Sequence, residues 1–146
     1  MINSSVINSR ISKLRKYLKI LKDLSKEKEE DFVSNYKIYG LAERYLQLSI
    51  ECLLDIGNNI ISRLELKKPE TYQDIFLILG KNLIIPEDFS KRITKMAGFR
   101  NILVHEYSDI DEKLVYEHLK KELPDFEEYI SYILKFLKND NQKKFK

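Results

Sequence analysis

Apolar residues recur along most of the chain at alternating spacings of three and four residues, which is the period of an amphipathic α-helix. The first such segment carries the stripe Ile7, Ile11, Leu14, Leu18 and Leu21. Because only 4 Gly and 3 Pro interrupt the chain, we expect helix throughout and an all-α fold. The far side of this first helix is interpreted as a solvated face, with RNA or partner binding as the alternative; it includes Lys13, Lys16, Lys19 and Lys22.

The second predicted helix is long, because no proline interrupts the segment from about residue 29 to about residue 65. At 1.5 Å per residue it would extend about 50 Å. Apolar residues lie on more than one side of it, so it needs more than one neighbour, and we predict a homodimer in which a second copy supplies one. The apolar residues outside its main stripe are Tyr36, Leu41, Leu48, Cys52 and Ile61.

Three polar or small residues inside this helix carry further expectations. Gly40 and Gly57 each cost about 1 kcal/mol relative to alanine, which suggests close backbone approach or a bend. Asp55 lies between apolar neighbours, so it either pairs with an arginine across the bundle or belongs to a polar site.

The middle of the chain predicts a third and a fourth helix. Thr71 is suited to cap a third helix over residues 72–79, which Gly80 would end in a left-handed conformation. Pro86, Glu87 and Asp88 are expected to form the first turn of the fourth helix, where proline needs no hydrogen-bond donor and the two acidic residues complement the helix dipole.

A fifth helix follows the sequence Ser108–Glu112, in which Asp109 and Glu112 have capping-box spacing. Pro124 should kink or split this helix near residues 120–124. Residues 138–146 include four lysines and little apolar material, so we expect a basic, flexible tail. The prediction is therefore an all-α, five-helix up-down bundle over residues 1–137, with a long second helix and a kinked C-terminal helix.

Composition narrows the classes of function only slightly. The formal net charge of +3 is a weak argument for a polyanionic partner. No apolar run is long enough for a membrane span and the first residues lack the features of a secretory signal, so we expect a cytoplasmic protein. The single cysteine, Cys52, excludes an internal disulfide and is interpreted as a small buried hydrophobe.

Candidate chemistry concentrates in the fourth helix, in residues 98–107. Its core stripe is Phe89, Ile93, Met96, Phe99 and Leu103. On a wheel of 100° per residue, Arg100, Asn101 and His105 share a sector of about 140° on the other side. Tyr107 would lie near Arg100 at the helix end, with an accessible hydroxyl.

This set of residues favours metal-free chemistry on a phosphate. The sequence has two histidines and no metal-ligand motif, and it has no glycine-rich phosphate loop, so we expect neither a metal nor a cofactor. Histidine can transfer protons at neutral pH, and arginine fits phosphate oxygens. Together they suit RNA cleavage by its own 2′-hydroxyl. The alternative is that Arg100 and His105 only form ion pairs or cap the helix end.

The stretch Phe99-Arg100-Asn101-Ile102-Leu103-Val104-His105-Glu106-Tyr107 resembles the motif of HEPN-domain toxins of the HepT type, in which Arg, four residues, His, one residue and Tyr follow one another. The resemblance extends from about Tyr39 to Tyr129. It includes, in the family's order, the segments 42–47, 55–58, 69–72 and 115–116. Pro124 and the lysine-rich first helix and tail depart from the family pattern.

The resemblance implies an all-helical dimer with a composite cleft. It implies a metal-independent endoribonuclease that uses Arg100 and His105, with Asn101 as an adjacent polar helper. It further implies the toxin of a type VII toxin–antitoxin system, neutralised when a minimal nucleotidyltransferase antitoxin transfers AMP to Tyr107. Added negative charge beside Arg100 would repel an RNA phosphate. The alternative is a catalytically silent helical subunit that binds such a nucleotidyltransferase.

Overall fold

The computed structural model describes residues 4–105 and 109–144, and these residues form six helices and no strand. In chain order the helices are α1 (Ser4–Leu24), α2 (Glu29–Ser34), α3 (Tyr36–Arg63), α4 (Tyr72–Lys81), α5 (Glu87–His105) and α6 (Glu112–Lys144). The all-α prediction is confirmed. The predicted count of five helices is wrong, because the segment expected to form one long second helix forms α2 and α3.

Asn35 separates α2 from α3. Its backbone is extended (φ −117°, ψ 105°), and its side-chain oxygen accepts a hydrogen bond from the backbone N–H of Lys37 at 3.0 Å. Asparagine favours this N-cap position because its short amide satisfies a backbone donor that the first turn of a helix leaves without a partner. A segment without proline can therefore still be divided into two helices.

Helix α3 is central to the bundle and packs against α1, α2, α4, α5 and α6. All five residues of the predicted α1 stripe are buried. Between α1 and α3, Arg10 Nε lies 3.6 Å from Asp55 Oδ2. Of the two roles predicted for Asp55, the ion pair with an arginine across the bundle is therefore confirmed.

The apolar surface of α3 that a second copy could cover is smaller than the sequence suggested. Cys52 and Ile61 are buried within their own chain. Tyr36 and Leu41 are 69% and 48% exposed, so the uncovered apolar residues lie near the start of α3.

The two glycines of α3 have different surroundings. A Cβ at Gly57 would lie 2.6 Å from Ile75 Cγ2 and 3.1 Å from the Tyr129 hydroxyl, so close approach of α4 and α6 requires glycine here. Apart from its chain neighbours and the nearby backbone of α3, a Cβ at Gly40 would meet no atom of the described residues within 4 Å.

Helices α4 and α5 approach closely at Gly80. This glycine lies inside α4 without a positive φ, so its predicted role as a left-handed helix end is wrong. A Cβ at Gly80 would collide with the side chain of Ser90, which explains the glycine by packing. The left-handed residue is Leu83 (φ 55°); its N–H donates to the Gly80 carbonyl, and the Ile84 N–H donates to the Leu79 carbonyl.

Helix α6 continues through Pro124 as far as Lys144, so a split at residues 120–124 is wrong, whereas the kink stays a prediction. The segment expected to be a flexible tail is thus mostly helical. The helix begins at Glu112, and the Asp111 side chain accepts a hydrogen bond from the Lys113 N–H at 3.0 Å, so Asp111 rather than Asp109 caps it. Neither α6 nor any other helix within the described ranges is long and apolar enough to cross a membrane.

Candidate active site

The last two turns of α5 present the predicted site residues. The apolar stripe of this helix is buried as predicted, including Phe99 and Leu103. This orientation leaves Arg100 and Asn101 half-buried and His105 exposed on the other side. The structure therefore brings three of the four predicted site residues together at one end of one helix, whereas Tyr107 lies outside the described residues.

The Arg100 side chain is only 16% exposed, and three side chains contact its guanidinium group. Nη2 lies 3.3 Å from Glu51 Oε1, and Nη1 donates to Asn101 Oδ1 at 3.4 Å. The guanidinium carbon lies 4.7 Å from the centroid of the Tyr72 ring, in cation–π contact. Nε is buried and has no hydrogen-bond partner among the described atoms. Arg100 is thus held in place, and not all of its N–H donors form hydrogen bonds within the described residues.

Glu51 and Tyr72 are site residues that the sequence did not reveal. Glu51 is on α3, and its Oε1 also accepts a hydrogen bond from Gln47 Nε2 at 3.0 Å, which fixes the carboxylate. Tyr72 is the first residue of α4. The available signal was a polar pair, Gln47 and Glu51, spaced four residues apart on a helix that is otherwise largely apolar.

A cleft of about 700 Å³ lies beside this cluster, between α3, the connection to α4 and the end of α5. Asn101 and His105 line it, together with Asn58, Lys68 and the segment 69–73. Arg100 does not itself line the cleft, but it contacts Asn101 and Tyr72, which do. An extended substrate could therefore meet a histidine and an amide at one end of a single open cleft, with a held guanidinium in contact with that amide.

The reverse side of α5 is fixed by α6. The Phe99 ring is stacked on His118, with centroids 3.7 Å apart and an angle of 8° between the planes. His118 Nδ1 lies 2.8 Å from Oε1 of Glu122, which is buried. His118 is therefore a packing residue, as is Tyr116, whose hydroxyl donates to the Glu27 carbonyl at 2.8 Å. Of the two histidines in the chain, only His105 lines the cleft.

Metal-ligating side chains are not clustered in the described part of the chain. Within residues 4–105 and 109–144, no group of three or more His, Cys, Asp or Glu residues is arranged to hold a metal ion.

A family model described as Ribonuclease HepT-like matches residues 14–133. The chain belongs to the HepT-like ribonuclease family. The resemblance seen in the sequence and the predicted enzyme class, ribonuclease, are thereby confirmed. Arg100, Asn101 and His105 all lie inside the matched segment.

Two curated relatives of this family match nearly the whole chain. The tRNA nuclease HepT of Aphanizomenon flos-aquae is 32% identical over 136 residues, which cover 93% of this chain and 92% of that protein. The mRNA nuclease HepT of Shewanella oneidensis is 28% identical over 132 residues, which cover 90% of this chain and 98% of that protein.

A solved structure has the same fold. It is the tri-AMPylated Shewanella oneidensis HEPN toxin in complex with an MNT antitoxin, with a TM-score of 0.80 and 27% identity, covering 88% of this chain and 96% of that one. The HEPN type of the predicted fold is confirmed by this similarity.

Proposed function

We propose that the protein is a toxin of a type VII toxin–antitoxin system and a metal-independent endoribonuclease. The observation that carries the proposal is that Asn101 and His105 line an open cleft, while Arg100, held by Glu51 and Tyr72, contacts Asn101 from behind the cleft wall. Family membership supports the ribonuclease class, and the two relatives named as tRNA and mRNA nucleases support RNA as the substrate.

The proposed reaction is attack of the RNA 2′-hydroxyl on the adjacent phosphate. A base takes the 2′-hydroxyl proton, the 2′-oxygen bonds to phosphorus, the bond to the 5′-oxygen breaks, and that oxygen receives a proton. The products are a 2′,3′-cyclic phosphate and a 5′-hydroxyl. His105 moves a proton, while Arg100 and Asn101 hold the phosphate and stabilise its growing negative charge.

One histidine in the cleft of each chain is sparse for a reaction that needs both a base and an acid, so we propose that two copies form one composite cleft. The uncovered residues of α3 support this arrangement. On a helical wheel Gly40 is about 20° from Glu51, because eleven residues make about three turns. A second helix that packed over Gly40, next to the exposed Tyr36 and Leu41, would therefore lie on the same side of α3 as the carboxylate that holds Arg100.

We also propose that Tyr107 accepts AMP from a cognate minimal nucleotidyltransferase antitoxin. The tri-AMPylated toxin in complex with an MNT antitoxin supports this kind of modification and this kind of partner. Tyr107 follows His105 by two residues, so an attached phosphate would bring negative charge close to Arg100 and compete with RNA.

Purified protein incubated with defined tRNA and mRNA substrates in EDTA tests the reaction. We expect cleavage that leaves 2′,3′-cyclic phosphate ends, and a loss of about 10²–10⁴-fold for His105→Ala. His118→Gln is the matched control, because His118 packs behind α5, and it should keep most of the rate once its folding is checked by thermal unfolding. Equal cleavage by wild type and His105→Ala would contradict the proposed role of His105. No cleavage by the wild type would favour the alternative of a catalytically silent nucleotidyltransferase-binding subunit.

Intact-mass measurement after incubation with the antitoxin and ATP tests the modification. We expect a gain of one or more AMP units that disappears in Tyr107→Phe. Tyr116→Phe is the matched control and should gain the same mass as wild type, because Tyr116 is half-buried and its hydroxyl is bonded to the Glu27 carbonyl. A mass gain retained in Tyr107→Phe would exclude Tyr107 as the sole acceptor.

A further inference from the structure

The cleft beside Asn101 and His105 is larger than the proposed phosphate chemistry requires. Its volume of about 700 Å³ lies within the range of about 300–1,000 Å³ that is typical of small-molecule sites in proteins. Beyond Asn101 and His105 the cleft continues along Asn58, Lys68, Tyr72 and Gln73. These four residues are available for binding a part of the substrate that does not react.

The lining combines an aromatic ring, two amides and one ammonium group. Tyr72 is 42% exposed although Arg100 covers part of its ring. Within the described ranges, the side-chain amides of Asn58 and Gln73 make no hydrogen bond to another residue, and Lys68 makes no ion pair. Aromatic rings stack on bases, amides can both donate to and accept from base edges, and lysine binds phosphate.

Charge decides which part of a nucleotide fits beside Tyr72. Tyr72 begins α4, and a helix N-terminus would ordinarily attract a phosphate. Here the Asp74 carboxylate already accepts hydrogen bonds from the N–H groups of Glu70 and Thr71, at 2.9 and 3.1 Å, and these bonds lower the pKa of Asp74. Glu70 places a carboxylate in the cleft wall itself. The negative charge favours an uncharged base at this position and disfavours a phosphate.

The position of Arg100 links this region to the reacting phosphate. Its guanidinium carbon is 4.7 Å from the Tyr72 ring centroid, and its Nη1 contacts Asn101, which lines the cleft. A phosphate held by Arg100 and Asn101 would therefore be next to a base held by Tyr72.

We propose that this cleft is a nucleobase subsite for single-stranded RNA, in which Tyr72 stacks on the base next to the cleaved phosphate and Asn58 and Gln73 bind its edge. Lys68, which also lines the cleft, binds the following phosphate. The proposal rests on the proposed ribonuclease function and specifies how that function selects its substrate.

Binding of a fluorescent, single-stranded RNA octamer to the His105→Ala protein tests the subsite without cleavage. In this background Asn58→Ala and Gln73→Ala should each raise the Kd about threefold to tenfold. Tyr72→Leu should raise it about tenfold or more, whereas Tyr72→Phe, which keeps the ring, should stay within about twofold of the parent. Asn139→Ala is the matched control, because Asn139 is an amide that lines a different cavity, and it should leave the Kd unchanged.

Cleavage of ribodinucleotides that differ in one base gives an independent readout. The wild type should show a KM that depends on the base, and Asn58→Ala and Gln73→Ala should reduce this dependence with little change in kcat. A residue that only positioned Arg100 would instead lower kcat equally for all bases.

The outcomes separate this proposal from the function on which it rests. Suppose that Arg100→Ala and His105→Ala abolish cleavage. If Asn58→Ala, Gln73→Ala and Tyr72→Leu then keep the Kd of the His105→Ala parent, and Asn58→Ala and Gln73→Ala keep the wild-type base dependence of KM, the subsite is wrong and the ribonuclease assignment stands. If the His105→Ala variant cleaves as fast as wild type, the proposed function fails, and the Kd measurements still decide whether RNA binds in this cleft.

Discussion

Arg92 and Arg100 lie about two turns apart on α5, and both are held by carboxylates and an aromatic ring, but their charge balance differs. Arg92 Nη2 is 3.3 Å from Asp125 Oδ1 and 3.1 Å from Glu128 Oε2, and its guanidinium carbon is 5.1 Å from the Phe89 ring centroid. Among the described residues, Arg100 has one carboxylate partner, Glu51, at 3.3 Å.

The difference in carboxylate partners explains why Arg100 is suited to bind a phosphate and Arg92 is suited to hold two helices together. Two carboxylates outweigh the charge of Arg92, so its surroundings are net negative and would repel a phosphate. The pair of Arg100 and Glu51 is neutral, its distances are long for a charge-assisted hydrogen bond, and Nε has no partner. In the proposed function Arg100 therefore donates hydrogen bonds to phosphate oxygens, whereas Arg92 links α5 to α6.

The largest expected difference between the two arginines is in catalysis. Arg100→Ala should lower kcat for RNA cleavage about 10²–10³-fold, because it removes a donor that stabilises the charged transition state. Arg92→Ala should keep kcat within about threefold, since its guanidinium group contacts α6 rather than the cleft. Initial rates at saturating RNA give kcat for both variants. Equal losses of kcat would show that the different surroundings of the two arginines do not affect catalysis.

A smaller effect is expected from the carboxylate that holds Arg100. Glu51→Ala should lower kcat about tenfold, because Arg100 loses its fixed position and misplacement of a catalytic group slows the reaction. Glu51→Gln keeps a hydrogen-bond acceptor and should lose less. Single-turnover rates of the two variants check this order. A faster rate in Glu51→Ala would mean that Glu51 competes with the phosphate instead of positioning Arg100.

The structural role of Arg92 should appear in stability. Arg92→Ala should lower the free energy of unfolding by about 1 kcal/mol, since the ion pairs are about half exposed and such pairs contribute modestly. Urea unfolding followed by circular dichroism gives the value. An unchanged free energy of unfolding would show that the ion pairs of Arg92 with Asp125 and Glu128 do not stabilise the fold.

The smallest expected effect concerns Asp125 and pH. Burial raises the pKa of the Asp125 carboxyl, although Arg92 and Lys95 partly oppose the effect. Because the folded-state pKa exceeds that of the unfolded chain, the stabilising contribution is fully present below about pH 4 and is lost as pH rises through the folded-state pKa. The stability of wild type relative to Asp125→Asn should therefore decrease as the pH rises from about 4 through the folded-state pKa of Asp125. An increase over the same interval would contradict the direction of the shift.

Local and periodic features of the fold were predictable from the sequence. The stripes of α1 and α5 are buried as their spacing indicates, and Thr71 caps α4. The break between α2 and α3 at Asn35 was missed because it depends on the extended backbone conformation of this asparagine. The spacing of apolar residues carries no information on that conformation. Gly80 was misassigned because a glycine required by the neighbouring Ser90 looks the same in sequence as a glycine at a turn.

The site was predictable only as far as it is local. Arg100, Asn101 and His105 lie on one helix, so their spacing shows that they share a side. Glu51 is 49 residues from Arg100 in sequence, and this pairing depends on how α3 and α5 pack. The contact of Tyr72 with Arg100 likewise joins two helices. Helical periodicity carries no information on such partners.

The central claim is that Arg100, and not Arg92, binds an RNA phosphate. The most direct test is the salt dependence of binding to a short single strand of 2′-O-methyl RNA, which lacks the attacking hydroxyl. For single strands the slope of log K against log salt changes by about 0.7 for each phosphate contact. We expect Arg100→Ala to make the slope less negative by about this amount and Arg92→Ala to leave it unchanged. An unchanged slope in Arg100→Ala, or an equal change in both variants, would contradict the account.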